Sequence, residues 1–131
     1  MTPKAAWISL LLLAIVFYLF SLSGFSRLEH IIGQYYLVAV DTKSDLSIYY
    51  KTDEGDYVGR IPNTIIEYGF NDSFLIAKTE DYNNEIHYYI IERAKDFDLA
   101  HEENFLTGPL TENEFVKNWK DKQKIKMKTA N

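Results

Sequence analysis

The side chains in this 131-residue chain best suited to proton transfer are three histidines, His30, His87 and His101, set among 19 acidic residues. A general base must lie within hydrogen-bond reach of the proton it takes, in a pocket with a partner that orients it. No Gly-x-Ser-x-Gly, His-Glu-x-x-His or phosphate-binding glycine loop is present. The one pairing to consider is His87, inside a strand-like run, with Asp72 or Glu67 from neighbouring strands. Strand histidines more often pack or face water. The sequence is therefore read as non-enzymatic, with no catalytic residue assigned.

Hard oxygen ligands are plentiful in three turns: Asp53, Glu54 and Asp56; Glu80, Asp81 and Glu85; and Asp96, Asp98, Glu102 and Glu103. None has the spacing of a calcium loop, with its turn glycine and terminal glutamate. The absence of cysteine removes disulfides, thiolate metal sites and a thiol nucleophile. No metal and no cofactor is assigned.

Recognition chemistry is better represented. Tyr35-Tyr36, Tyr49-Tyr50 and Tyr88-Tyr89 are doublets in runs that read as strands, and a period of two puts one ring of each on either face. An apolar body with a polar tip suits contact with a protein, a peptide or an envelope glycan. The same rings suit an ordinary half-exposed sheet.

The elements that must position them read in order. Ala5 to Leu22 is uncharged and almost wholly apolar. As a helix rising 1.5 Å per residue it covers about 27 Å, close to the hydrocarbon thickness of a bilayer. It is read as a single transmembrane anchor occupying segment 1–27. Lys4 precedes it and Arg27 follows, so charge bias orients the following domain, 28–131, outside the cytoplasm of a bacterial cell. A cleaved signal peptide, which would leave the protein secreted, and a buried core helix are the competing readings.

Arg27 to Ile32 is read as a short connecting helix. Tyr35–Val40, Leu46–Tyr50, Tyr57–Ile61, Ile65–Phe70, Ser73–Lys78 and Ile86–Ile91 are read as strands, with Phe105-Leu106 as a short edge strand. Across Asn71-Asp72 the register pairs Phe70 with Ser73 through a two-residue turn, or Phe70 with Phe74 through a three-residue one. Thr111-Glu112-Asn113-Glu114 is a capping box opening a helix whose apolar stripe is Phe115, Val116 and Trp119. The fold class is mainly β (α+β): an antiparallel meander of five to seven strands with the C-terminal helix packed on it, preceded by the anchor.

Net charge is -5, unevenly spread: Leu28 to Val116 holds 18 acidic and 6 basic residues, while Lys117 to Asn131 holds six lysines and one aspartate. The acidic body argues against nucleic acid as a partner. The lysines are read as a solvated helix end. The expected function is membrane-anchored, extracytoplasmic binding. The alternative is a membrane-tethered acidic immunity-type protein that neutralises a basic toxin.

The succession Tyr-Tyr-Leu-Val near 36, Phe74-Leu-Ile-Ala-Lys78, Tyr88-Tyr-Ile-Ile91 and Gly108-Pro-Leu110 leading to Phe115 resembles the domain of unknown function 3997 family of small exported bacterial proteins. The resemblance covers most of Gly33 to Trp119. It brings no activity and no functional residue. Lipoproteins of this kind carry a cysteine after the signal, which this chain lacks.

Overall fold

The computed structural model describes residues 3–22, 26–40, 45–120 and 124–130, without the side chains of 3, 18–22 and 120. Helix α1 (Pro3–Leu22) forms over the apolar run. From Trp7 to Phe17 its large apolar side chains are exposed. Among the described residues no helix is long and apolar enough to cross a membrane, so the expected transmembrane anchor finds no support in the structure. Residues 23–25, which follow the apolar run, and 41–44, which follow the first expected strand, lie outside the described residues.

Two antiparallel sheets replace the single meander. Sheet A joins β1 (Arg27–Ile32), β2 (Tyr35–Ala39), β3 (Leu46–Lys51) and β4 (Tyr57–Ile61) in sequence order. Sheet B joins β5 (Ile65–Phe70), β6 (Phe74–Glu80), β7 (Ile86–Glu92), β8 (Leu106–Leu110) and β9 (Lys128–Thr129) in the order β8-β7-β6-β5-β9. The chain passes between sheets at 62–64. Pro62 stops the ladder there, and Ile61 and Ile65 on either side drop into one shared core. Leu37, Ile48 and Tyr50 enter that core from sheet A, and Leu75, Ala77 and Ile91 from sheet B. The layers form a two-sheet sandwich.

Three further expectations are corrected. Arg27–Ile32 is strand β1 rather than a helix, because Gly33 at φ +55 turns the chain so that Ile32 pairs with Tyr35. In the β5–β6 hairpin Phe70 pairs with Leu75 and Tyr68 with Ala77, so neither expected register holds. The Asn71 side chain makes this turn: its Oδ1 accepts from the Ser73 and Phe74 amides at 2.9 and 2.7 Å. That shift sets Gly69 opposite Ile76 instead of Phe74. The lysine-bearing tail, lastly, is not simply a solvated helix end. Residues 124–127 return across sheet B, β9 pairs with β5, and Ala130 is buried.

The capping box forms as expected on the Thr111 side, whose hydroxyl accepts from the Glu114 amide at 3.2 Å. Helix α3 (Glu112–Phe115) continues as one wide π-type stretch, Val116–Lys120. Phe115 lies flat on Tyr88, ring centroids 4.2 Å apart, and Trp119 meets Phe74 edge-on at 5.5 Å. With Ile125 and Met127 they cover the second face of sheet B over Ile76 and Ile90. Val116 points outward, so the covering stripe is Phe115 and Trp119 alone. The stretch before β8 holds a 3₁₀ turn at Arg93–Lys95 and helix α2 (Glu102–Phe105).

Candidate functional site

The doublets divide between faces as the strand period requires. Tyr35 and Tyr50, cross-strand partners in β2 and β3, point into the core. Tyr88 is buried beneath Phe115 on the far side of sheet B. Three of the six expected recognition tyrosines are therefore buried. Tyr36 and Tyr49 face each other on the outer side of sheet A, half-buried. Tyr89 is half-buried at the margin of the shared core.

Around Tyr36 and Tyr49 the structure adds residues that the doublets did not indicate. Tyr57 of β4 meets Tyr36 edge-on at 5.5 Å, and the His30 ring lies 5.1 Å from Tyr36 on the other side. The Lys51 ammonium sits 5.9 and 5.8 Å from the Tyr36 and Tyr57 rings, within cation–π range. Tyr57 is a single tyrosine at a strand start, and its pairing opposite Lys51 fixes its face. Beyond Tyr49 the strip opens into a groove of 420 Å³ lined in part by Tyr49, Gly59, Tyr89 and Pro109. Gly59 stands opposite Tyr49 in the ladder. Gly108, at φ +135, has no room for a Cβ, which would fall 2.7 Å from the Tyr88 carbonyl oxygen and 2.8 Å from the Tyr89 ring. Glycine there lets β8 close against β7 and form the groove wall.

Beneath this face runs a buried polar network. Residue Arg60 is the extra one where the β3–β4 register shifts, since Ile48 pairs with Ile61 and Tyr49 with Gly59. Its guanidinium is sandwiched by the Tyr50 and Phe105 rings at 5.0 and 4.8 Å. Arg60 Nε donates to Asp96 Oδ2 at 3.0 Å, and the Asp96 side chain is fully buried. Tyr35 donates to the same carboxylate at 2.8 Å. Burial first, then the Asp96 charge and hydrogen bond, push the Tyr35 phenol far above its ordinary pKa, so it stays a donor. Tyr50, raised by burial and then by Asp96, Asp98 and Asp53, donates to Gln34 Oε1 at 2.7 Å. These bonds, with one from Arg60 to the Phe97 carbonyl at 3.2 Å, pin Asp96 and Phe97 to sheet A. Thirty-six positions separate Arg60 from Asp96, and no local spacing announces the pair.

His87 is not placed with Asp72 or Glu67. Its ring nitrogens lie 3.9 Å from Asp81 Oδ2 and 4.0 Å from Glu85 Oε2, while Glu67 meets Lys78 at 3.6 Å. Asp81, Glu85 and His87 are the one group among the described residues with potential ligand atoms close enough to share a cation. Asp81 Oδ1, however, accepts from the Asn83 and Glu85 amides at 2.8 and 2.9 Å and so builds the β6–β7 turn. His30 Nε2 bonds the Gly33 carbonyl at 2.8 Å, and His101 is exposed at the start of α2. Two of the acidic turns converge: the Asp53 amide donates to Asp98 Oδ2 at 3.2 Å.

A family model described as protein of unknown function (DUF3997) matches residues 32–130, from the end of β1 through β9. Neither the curated proteins nor the solved structures contain a match.

Proposed function

The chain belongs to the DUF3997 family, and we propose that it is a bilayer-tethered, non-enzymatic binding module whose outer sheet A face takes a protein or envelope-glycan partner. The observation that carries this reading is the contiguous strip His30, Tyr36, Tyr57 and Lys51, continued through Tyr49 into the glycine-lined groove. Rings held by strands lose little freedom on contact, and tyrosine and arginine-like cation–π surfaces are what recognition sites concentrate.

The tether is α1. Nine large apolar side chains between Trp7 and Phe17 are exposed, an arrangement that water disfavours and a bilayer accommodates. Lys4 in the first turn of α1 and Arg27 beyond its end favour the sandwich outside the cytoplasm, at the plasma membrane of a bacterial cell. Cleavage after the helix would release the same module.

The test uses the full chain, solubilised in detergent, as bait for envelope proteins and for cell-wall glycan. Capture by the parent chain, and its loss in a Tyr36→Ala, Tyr49→Ala double variant that remains folded at the assay temperature, is the expected result. Equal capture by both chains would refute the strip as the site.

One observation favours a second reading, the acidic immunity-type protein. The converging turns leave a cleft of 320 Å³ lined by Glu54, Asp56 and Asp98 beside the exposed apolar residues Val58 and Leu99. Charge steering would hasten capture of a basic partner there. Binding that weakens steeply with salt and survives the tyrosine substitutions would select this reading.

A further inference from the structure

On the opposite side of the molecule, between the outer face of sheet B and its C-terminal cover, lies a cleft of 250 Å³. Tyr88, Phe115, Trp119 and Ile76 form apolar walls, and two carboxylates, Glu67 and Glu112, also line it. No basic side chain lines it among the described residues. Lys78 indicates what such a mouth holds: its ammonium sits 3.6 Å from Glu67 Oε2 and 6.0 Å from the centre of the Tyr88 ring. Burial opposes the charge on Lys78, yet Tyr88, Glu67 and Glu112 bring its pKa above the ordinary lysine value. Glu112 adds a second carboxylate to the lining.

We propose that this cleft binds a small amphipathic ammonium compound, its apolar body against Trp119, Ile76 and the edge of the stacked Tyr88–Phe115 pair and its charged head at Glu67 and Glu112. Aromatic faces combined with carboxylates are the chemistry that selects an ammonium over a neutral group of the same shape. The volume lies below the roughly 300–1,000 Å³ of sites for drug-sized ligands, which restricts the occupant to a small molecule. This site is separate from the tyrosine strip and stands or falls independently of it.

The full chain carrying Trp7→Phe, so that Trp119 is the sole indole, is titrated in a non-ionic detergent with phenethylammonium and separately with 2-phenylethanol. The expected result is a saturable change in Trp119 emission with the ammonium and binding of the alcohol weaker by about tenfold or more. Glu67→Gln with Glu112→Gln should weaken the ammonium by about tenfold. Glu112→Gln alone, at an exposed position, should weaken it by a smaller factor with an unchanged circular dichroism spectrum. The Tyr36→Ala, Tyr49→Ala variant should titrate like the parent. Equal affinity for ammonium and alcohol, indifference to the carboxylate substitutions, or no response of Trp119 would overturn the proposal.

Discussion

The two sheets share an inner core but treat their outer faces differently. Sheet A turns out Tyr36, Tyr49, Tyr57 and Lys51, side chains whose polar tips meet water while their rings pack on one another. Sheet B turns out Phe74, Ile76, Ile86 and Ile90, which have no polar tip, and the chain folds its last segment over them. Tyr88 lies on that second face and is sealed under Phe115, while Tyr36 on the first stays half-open. Residue type alone did not decide which tyrosine is available. The aliphatic or amphipathic character of its neighbours did.

The contrast breaks most visibly if the cover is cut back. Phe115→Ala removes a buried ring and should cost about 3–5 kcal/mol, whereas Tyr36→Ala on the open face should cost much less, within roughly 1 kcal/mol. Urea denaturation of the two variants checks this, and equal losses would erase the distinction between the faces. A smaller effect comes from Gly69, where an added Cβ would fall 2.6 Å from the Lys126 carbonyl oxygen and 2.7 Å from the Ile125 side chain. Gly69→Ala should dislodge the returning tail and destabilise by about 1–3 kcal/mol. Deleting the tail beforehand should remove most of that penalty.

The smallest effect separates the inward rings by pH. Tyr35 and Tyr50 have folded pKa values raised above the ordinary 10.0, so their stabilising contribution is complete below pH 10. Above it the unfolded phenols release protons that the folded ones keep, and stability falls by up to about 1.4 kcal/mol per pH unit per group. Alkaline melting curves should therefore drop more steeply for the parent than for Tyr35→Phe. Parallel curves would show that Tyr35 does not stay protonated in the fold.

Much of this architecture was legible because strands announce themselves through β-branched and aromatic runs. The alternation within each doublet and the Thr111 cap were readable for the same local reason, and so was an edge strand near Leu106, although Phe105 closes α2 and the strand runs on to Leu110. What escaped depends on distance or on a single atom. Pro62 marks where a strand ends but carries no information about which sheet the next strand joins. The hairpin register hung on the Asn71 side chain, not on backbone preferences at the turn. Tail residues Ile125 and Met127 do alternate with Lys124, Lys126 and Lys128, a strand-like period obscured by the lysine content. The Arg60–Asp96 pair required the folded topology. In the candidate site, Tyr36 and Tyr49 could be nominated from sequence; Tyr57, His30 and Lys51 joined them only through register.

The pairing of β9 with β5 has a further bearing on the protein's behaviour in a crowded solution. Without those terminal rungs, the β5 margin would present unsatisfied amides and carbonyls beside an apolar interior, the template on which sheets of separate molecules zip together. The Ala130 amide, donating to the Ile66 carbonyl at 3.0 Å, helps close that margin. A short, lysine-bearing strand thus covers the edge at which β5 would otherwise be open to strands of neighbouring copies.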